Sequence, residues 1–165
     1  MNHFKLISCT KNHIETLSTW CKSQHEIEQW AGPNVRFPYS SQTFLEDIKY
    51  LERPSYGLIN HNNELVAFGQ FYERLSHCHL GRLIVNPTFR KQGVSKILVK
   101  ELSKVGKKTL GLPSISLFVY ANNAVALTLY KSLGFIEKNY PEKLPLENCL
   151  YLTNVDENEY RNVDI

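Results

Sequence analysis

Between residues 79 and 120 the chain reads as two strand-like runs, "HLGRLIV" and "SISLFVY", separated by a long segment whose apolar residues recur at helical spacing. No other feature restricts the fold as much. Neighbouring strands joined through a helix pair in parallel, because the crossover returns the chain to the same end of the sheet, and such crossovers are right-handed. The helix is expected over about 94–106, with Val94, Ile97, Leu98, Leu102 and Val105 as its buried stripe. "SISLFVY" is nearly continuous in apolar residues, which predicts a central strand. "NAVALTLYKSL" then reads as a helix stopped by Gly134, and "FIEKN" resumes extended structure.

Upstream, "FKLISC" reads as a strand and "NHIETLSTWC" as a helix, with Asn12 and Glu15 at capping-box spacing and Ile14, Leu17 and Cys21 on one face. A second amphipathic helix is expected near 41–51, with Phe44, Ile48 and Leu51 buried. The intervening "EIEQWAGPNVRFPYS" carries Gly, Pro and aromatic residues, the mark of a loop with hydrophobic anchors. "SYGLIN", "HNN" and "ELVAFGQFYE" make a strand, a polar turn and a strand, and "HLGRLIV" should add a third antiparallel neighbour. With a last strand at "ENCLYLT", the expected fold is α/β (α+β): a mixed, mostly antiparallel sheet of six to seven strands flanked by about four helices, in the order β-α-α-β-β-β-α-β-α-β-β. Residues 1–155 are expected to form a single domain, and 156–165 a polar tail that frays or packs weakly.

Composition narrows the function classes. A chain of 165 residues with 42% apolar and 21% charged residues can bury a full core. The net charge of +3 is spread without long basic blocks, so no nucleic-acid partner is implied. No stretch approaches the roughly 18 apolar residues of a membrane span, and the N-terminal residues lack a continuous apolar core, so a soluble cytoplasmic protein with no membrane partner is expected. Cys9, Cys21, Cys78 and Cys149 form no CxxC pair and are expected to be reduced, mostly buried thiols. His77 and His79 share one side of a strand, but no third ligand stands nearby in sequence, and no metal is expected.

The turn "NPTFRKQG" places two positive charges and Gly93 immediately before a helix. A helix start offers unpaired N–H donors and a partial positive charge, and a glycine lets backbone approach an anion; an ordinary strand–turn–helix joint would look the same. There is no GxxxxGK[ST] and no GxGxxG after a first strand, which disfavours nucleotide hydrolysis and dinucleotide binding.

Two stretches together are more specific. Arg90-Lys91-Gln92-Gly93-Val94-Ser95 resembles the acyl-CoA signature of the GNAT superfamily of N-acetyltransferases: Arg or Gln, two residues, Gly, one residue, Gly or Ala. Asn123, Ala126, Tyr130, Gly134 and Phe135 resemble that family's later Asn, Tyr and Gly-Phe pattern. The order and the strand–helix setting agree over about 64–137; Ser95 departs from the usual Gly or Ala but remains small. The resemblance implies acetyl-CoA as cosubstrate and a small-molecule or protein amine as acceptor, in a monomer or homodimer. It implies that amides near 91–95 hold the pyrophosphate with help from Arg90 and Lys91. Backbone of Ile84 and Val85 would pair with the pantetheine arm, and a backbone N–H near Val85 would polarise the thioester carbonyl.

The implied chemistry is direct attack of a neutral amine on the thioester. At pH 7, deprotonating a lysine-like amine of pKa about 10.4 costs roughly 4.6 kcal/mol, against about 1.1 for an α-amine near 7.8, so a base matters most for the first class. By resemblance Tyr130 is the general acid toward the departing thiolate. Ala126, Leu129, Tyr130 and Leu133 also form an apolar stripe, so Tyr130 has a packing role open to it as well. Asn123 can cap its helix or bind the cofactor arm. In members that use a strand glutamate as base, that position corresponds here to His79, eleven residues before Arg90 (90 − 79 = 11), with Glu73 as the weaker alternative. The acceptor loops would be about 25–40 and 139–148, where Trp30, Phe37 and Tyr39 offer walls and Glu26, Glu28, Glu142 and Glu147 offer charge. A degenerate acyl-CoA-binding sensor is the alternative reading.

Overall fold

The computed structural model describes residues 3–155; the expected tail at 156–165 lies outside the described residues. Among these residues the elements run β1 (Lys5–Ser8), α1 (Lys11–Ser18), α2 (Gln24–Ala31), α3 (Ser41–Asp47), β2 (Ser55–Ile59), β3 (Leu65–Arg74), β4 (His77–Val85), α4 (Val94–Leu110), β5 (Ser114–Tyr120), α5 (Ala124–Ser132), β6 (Ile136–Lys138) and β7 (Cys149–Val155). The strands form one seven-stranded sheet in the order β1-β2-β3-β4-β5-β7-β6. The crossover through α4 makes β4 and β5 parallel, while the other described pairings are antiparallel. This is the mixed, mostly antiparallel fold that the sequence predicts, with a fifth helix.

That extra helix, α2, occupies residues assigned above to a loop. Ser23 caps it by accepting from the Glu26 N–H at 3.2 Å, and Glu26 Oε2 accepts from the Lys22 N–H at 2.6 Å. Ile27 is its fully buried anchor. Helix α1 starts two residues earlier than the Asn12–Glu15 spacing suggests: Thr10 is the cap, and its N–H donates to His13 Nδ1 at 3.0 Å. Helix α3 stops at Asp47, and Lys49 turns the chain with φ of 56°, which leaves Leu51 89% exposed rather than buried.

The described residues divide into two compact units, 3–71 with 81–102, and 72–80 with 103–155. In the first, Ile14, Leu17, Ile27, Phe44 and Ile48 from the early helices pack with Phe68 and Ile84 of the strands. Val94 and Leu98 of α4 pack with Leu58, Val66 and Ala67, joined by Leu83 and Val85. The alternation of Leu83, Ile84 and Val85 between these two clusters is the period of a strand buried on both faces. Arg82 breaks the strand geometry with φ of 50°. Its guanidinium donates to Gln70 Oε1 at 3.0 Å and to the Asp47 carbonyl at 3.2 Å, bonds that offset the roughly 1–2 kcal/mol cost of a left-handed residue.

In the second unit the register sorts side chains by face. Across β4, β5 and β7, Cys78, Leu80, Ile115, Leu117 and Leu152 fall on one side, whereas His79, Ser116, Phe118, Tyr151 and Thr153 fall on the other. Paired residues point the same way, so one face is apolar and its opposite is polar and aromatic.

Gly57 shows how tightly the first unit is packed. A Cβ there would stand 2.4 Å from Leu65 Cδ1 and 2.9 Å from the Ala67 carbonyl oxygen, and the carbonyl cannot move without breaking sheet pairing. Gly57→Ala should therefore destabilise the fold by about 1–3 kcal/mol, read as a lower urea midpoint at unchanged slope. Gly69→Ala meets only the ends of the Leu83 and Leu102 side chains, at 2.7 Å each, and should cost less.

Candidate active site

The segment Ile84–Ser95 belongs to the first unit. A 3₁₀ turn at Pro87–Phe89 is capped by Asn86, whose Oδ1 accepts from the Thr88 N–H at 3.1 Å. The chain then passes through Lys91 at φ of 62° and Gly93 at φ of 75° before α4 begins at Val94. Two left-handed residues in three turn successive N–H groups toward a common side, a geometry that favours anions. Nothing lies within 4 Å of the position a Gly93 Cβ would take, so the turn is open. The first turn of α4 holds no acidic residue, and Arg90, Lys91 and Gln92 are exposed. Arg90 Nε donates to the Val85 carbonyl at 3.4 Å, holding its side chain back toward the end of β4. Val94 is buried and Ser95 half-buried, so these two contribute packing and backbone. Ile84 is 8% exposed with its side chain in the core, and only its backbone is available for another role. An open turn, left-handed residues, two exposed cations and an acid-free helix start fit the pyrophosphate of CoA.

The remaining expected site residues lie in the second unit. Asn123 caps α5, its Oδ1 accepting from the Ala126 N–H at 3.2 Å. Two turns along the same helix Tyr130 is 9% exposed, edge-on to Phe135 with ring centroids 5.8 Å apart. Burial pushes its phenol up to about 12, so the hydroxyl keeps its proton throughout the neutral range. Tyr130 therefore packs against Phe135 and stays protonated at neutral pH.

His79 is 2% exposed. Its Nδ1 lies 2.8 Å from Ser116 Oγ, and its ring packs 4.7 Å from Phe118 and 5.3 Å from Tyr72. His77 makes the analogous contact with Ser114 Oγ one step along, and desolvation lowers its pKa. Glu73 is exposed on β3. Around His79 the polar and aromatic face gathers groups that the motifs did not reveal. Arg74 donates to the hydroxyls of Tyr140 at 3.0 Å and Tyr72 at 3.2 Å, and its guanidinium lies 5.1 Å from the Phe118 ring centroid. Tyr151 packs against Phe118 and Tyr140 at 5.7 and 5.1 Å. Burial raises its pKa, and Ser116 opposes this, although no hydrogen bond of good geometry satisfies the Tyr151 hydroxyl. The usable signal was the alternation of Ser114, Ser116 and Phe118 with Ile115, Leu117 and Val119, which "SISLFVY" conceals when read as one apolar run.

Trp30 and Tyr39 pack on Phe44 at 6.1 and 4.6 Å, within the first unit's core. Glu26 closes the cap of α2, and Glu142 and Glu147 are exposed. All four cysteines are free and buried; burial raises their pKa values, to about 12 for Cys9 and about 11 for Cys78. Among the described residues no group of three or more His, Cys, Asp or Glu is placed to hold a metal, and no helix is long and apolar enough to cross a membrane.

Comparison with known proteins places this geometry in context. The sequence profile of the acetyltransferase (GNAT) family matches residues 22–135. The [ribosomal protein bS18]-alanine N-acetyltransferase of Escherichia coli K12 is 32% identical over 134 residues, covering 78% of this chain and 86% of that protein. The crystal structure of the Escherichia coli ribosomal-protein-S18-alanine N-acetyltransferase superposes with a TM-score of 0.63 over 92% of each chain, at 24% identity. Spermidine N-acetyltransferase from Vibrio cholerae, in complex with CoA and spermine, shares the fold with a TM-score of 0.73 over 96% of this chain and 98% of its own, at 17% identity. The profile covers well over half of the residues, and the chain belongs to the acetyltransferase (GNAT) family.

Proposed function

We propose that the protein is an acetyl-CoA-dependent N-acetyltransferase that transfers the acetyl group to a primary amine, of a small molecule or a protein, by direct attack. The observation that carries this reading is the open Lys91–Gly93 turn at the start of α4, built for an oxyanion and lying within the family's signature. In this reading the amides of 91–95 hold the pyrophosphate, and Arg90 and Lys91 neutralise it. Backbone at Ile84 and Val85 aligns the pantetheine arm, and Asn123 and Ala126 are assigned to cofactor binding at the start of α5. Bound acetyl-CoA supplies an activated acyl group.

Tyr130 acts as the general acid from its hydroxyl. A phenol raised to about 12 stays protonated at neutral pH, so its proton is available to the sulfur as the carbon–sulfur bond breaks. His79, whose Nδ1 lies 2.8 Å from Ser116 Oγ, receives the proton of the attacking ammonium. Because only 2% of His79 is exposed, this proton travels through a water rather than by direct contact. Named relatives act on a ribosomal protein's alanine or on spermidine, which supports an amine acceptor without choosing between these two kinds.

Three outcomes test the reading. Tyr130→Phe should lower kcat by about 10²- to 10⁴-fold with little change in the KM for acetyl-CoA, measured by thiol release. For the unsubstituted protein, kcat/KM should rise with pH as the acceptor amine deprotonates. The fall caused by Tyr130 ionisation should appear near pH 12 and be absent at the phenol's ordinary 10, since burial favours the neutral form. Gly93→Ala forces a side chain into a left-handed backbone at roughly 1–2 kcal/mol and should weaken acetyl-CoA binding about tenfold by calorimetry. Acetyl-CoA binding without thiol release for any amine would favour a sensor instead.

A further inference from the structure

Arg74, in the second unit, is a half-buried cation. A guanidinium carries five N–H donors and stays ionised under all ordinary conditions. Two of those donors go to the hydroxyls of Tyr140 and Tyr72, and Nε is buried with no hydrogen-bond partner. The cation rests between the rings of Tyr72 and Phe118, 5.5 and 5.1 Å from their centroids. Among the described residues no carboxylate lies within 4 Å of it. Phenol oxygens and aromatic faces stabilise a cation, but neither neutralises it, and partly buried charges ordinarily meet a counter-charge.

Its surroundings are rich in donors. The Tyr140 hydroxyl accepts from Arg74, so its own proton is left to give. The Tyr151 hydroxyl, whose ring packs on Tyr140 and Phe118, is buried and unpartnered. Phe118 joins this group to His79, since its ring touches both the guanidinium and the imidazole. A cation and a phenol donor on the same aromatic cluster as the residue assigned to proton acceptance have the chemistry of an oxyanion site. They are poorly suited to a polyamine, whose second ammonium would face Arg74 without a compensating acid.

We propose that Arg74, with Tyr140, recognises a carboxylate carried by the acceptor, so that the amine acetylated belongs to a molecule bearing a carboxylate near its amino group. This rests on the acetyl-transfer reading above and names its substrate class. The carboxylate can be the α-carboxylate of a free amino acid or an acidic side chain beside the amino end of a peptide; both present the same oxyanion.

Matched acceptor pairs test it with thiol release from acetyl-CoA. One pair is alanine against alaninamide, the other Ala-Asp-Ala-amide against Ala-Asn-Ala-amide, each compared per unit of unprotonated amine, with spermidine as the anion-free acceptor. In at least one pair the carboxylate member should have a kcat/KM about tenfold or more above its neutral partner, expressed in KM, and should exceed spermidine. Which pair responds tells the free amino acid from the peptide. Arg74→Gln should bring that ratio to near one, and Arg74→Lys should restore part of it. Circular dichroism and Tm establish that the variants are folded, and the acceptor pairs on the unsubstituted protein do not depend on them. Equal or better use of the neutral member in both pairs, preference for spermidine, or a ratio unchanged in folded Arg74→Gln overturns the inference while leaving acetyl transfer intact. Absence of thiol release with every amine overturns acetyl transfer itself, and this inference with it.

Discussion

The register of β5 is the constraint on which the second unit depends. The strand is held on one side by a parallel register with β4, Cys78↔Ile115 through Leu80↔Leu117, and on the other by seven antiparallel pairs with β7, Ser114↔Val155 through Tyr120↔Cys149. Because side chains alternate with a period of two, a slip of one residue in either pairing would exchange the faces. With β5 slipped, Ser116 and Phe118 would enter the apolar side, and Ile115 and Leu117 would replace them beside His79. Apolar burial on one face thus fixes the position of the polar chemistry on the other. No loop has to place His79.

In the function proposed above, the two parts of the site use different physics. Around Lys91 and Gly93 the functional groups are main-chain amides, and what matters is backbone torsion and empty space. Around Tyr130 and His79 they are side chains, and what matters is desolvation: both are nearly inaccessible, and the phenol is displaced well above its ordinary range. An amide carries no proton that titrates and works in water. A side-chain acid must be shielded if its proton is to be kept for one event.

Much of this architecture was legible because periodicity is a strong signal. The α4 stripe of Val94, Leu98 and Leu102 and the strand character of "SISLFVY" follow from spacing alone, and seven strands emerged near their expected places. Helix α2 was hidden by its neighbours: Gly32, Pro33 and Pro38 read as a loop, although Ser23 and Glu26 stand at capping-box spacing at its start. Leu51 was misplaced because amphipathic spacing does not reveal where a helix stops, and Lys49 adopts a left-handed turn that few side chains favour. Within the candidate site, Gly93 and Tyr130 were readable from local motifs. Arg74, Tyr140 and Tyr151 were not, since they are brought together by strand pairing and contacts across 66 residues of chain, which no local pattern encodes.

The four thiols have a practical corollary. Disulfide exchange and reaction with aromatic disulfide reagents proceed through thiolates, and Cys9 and Cys78 are displaced to about 12 and about 11 by burial, with Cys21 and Cys149 displaced in the same direction. Burial therefore slows the reaction of these sulfurs with such reagents as long as the chain is folded. Colour developed by a thiol probe therefore comes from the free cofactor in solution, and a slow late rise in that colour reports unfolding of the polypeptide.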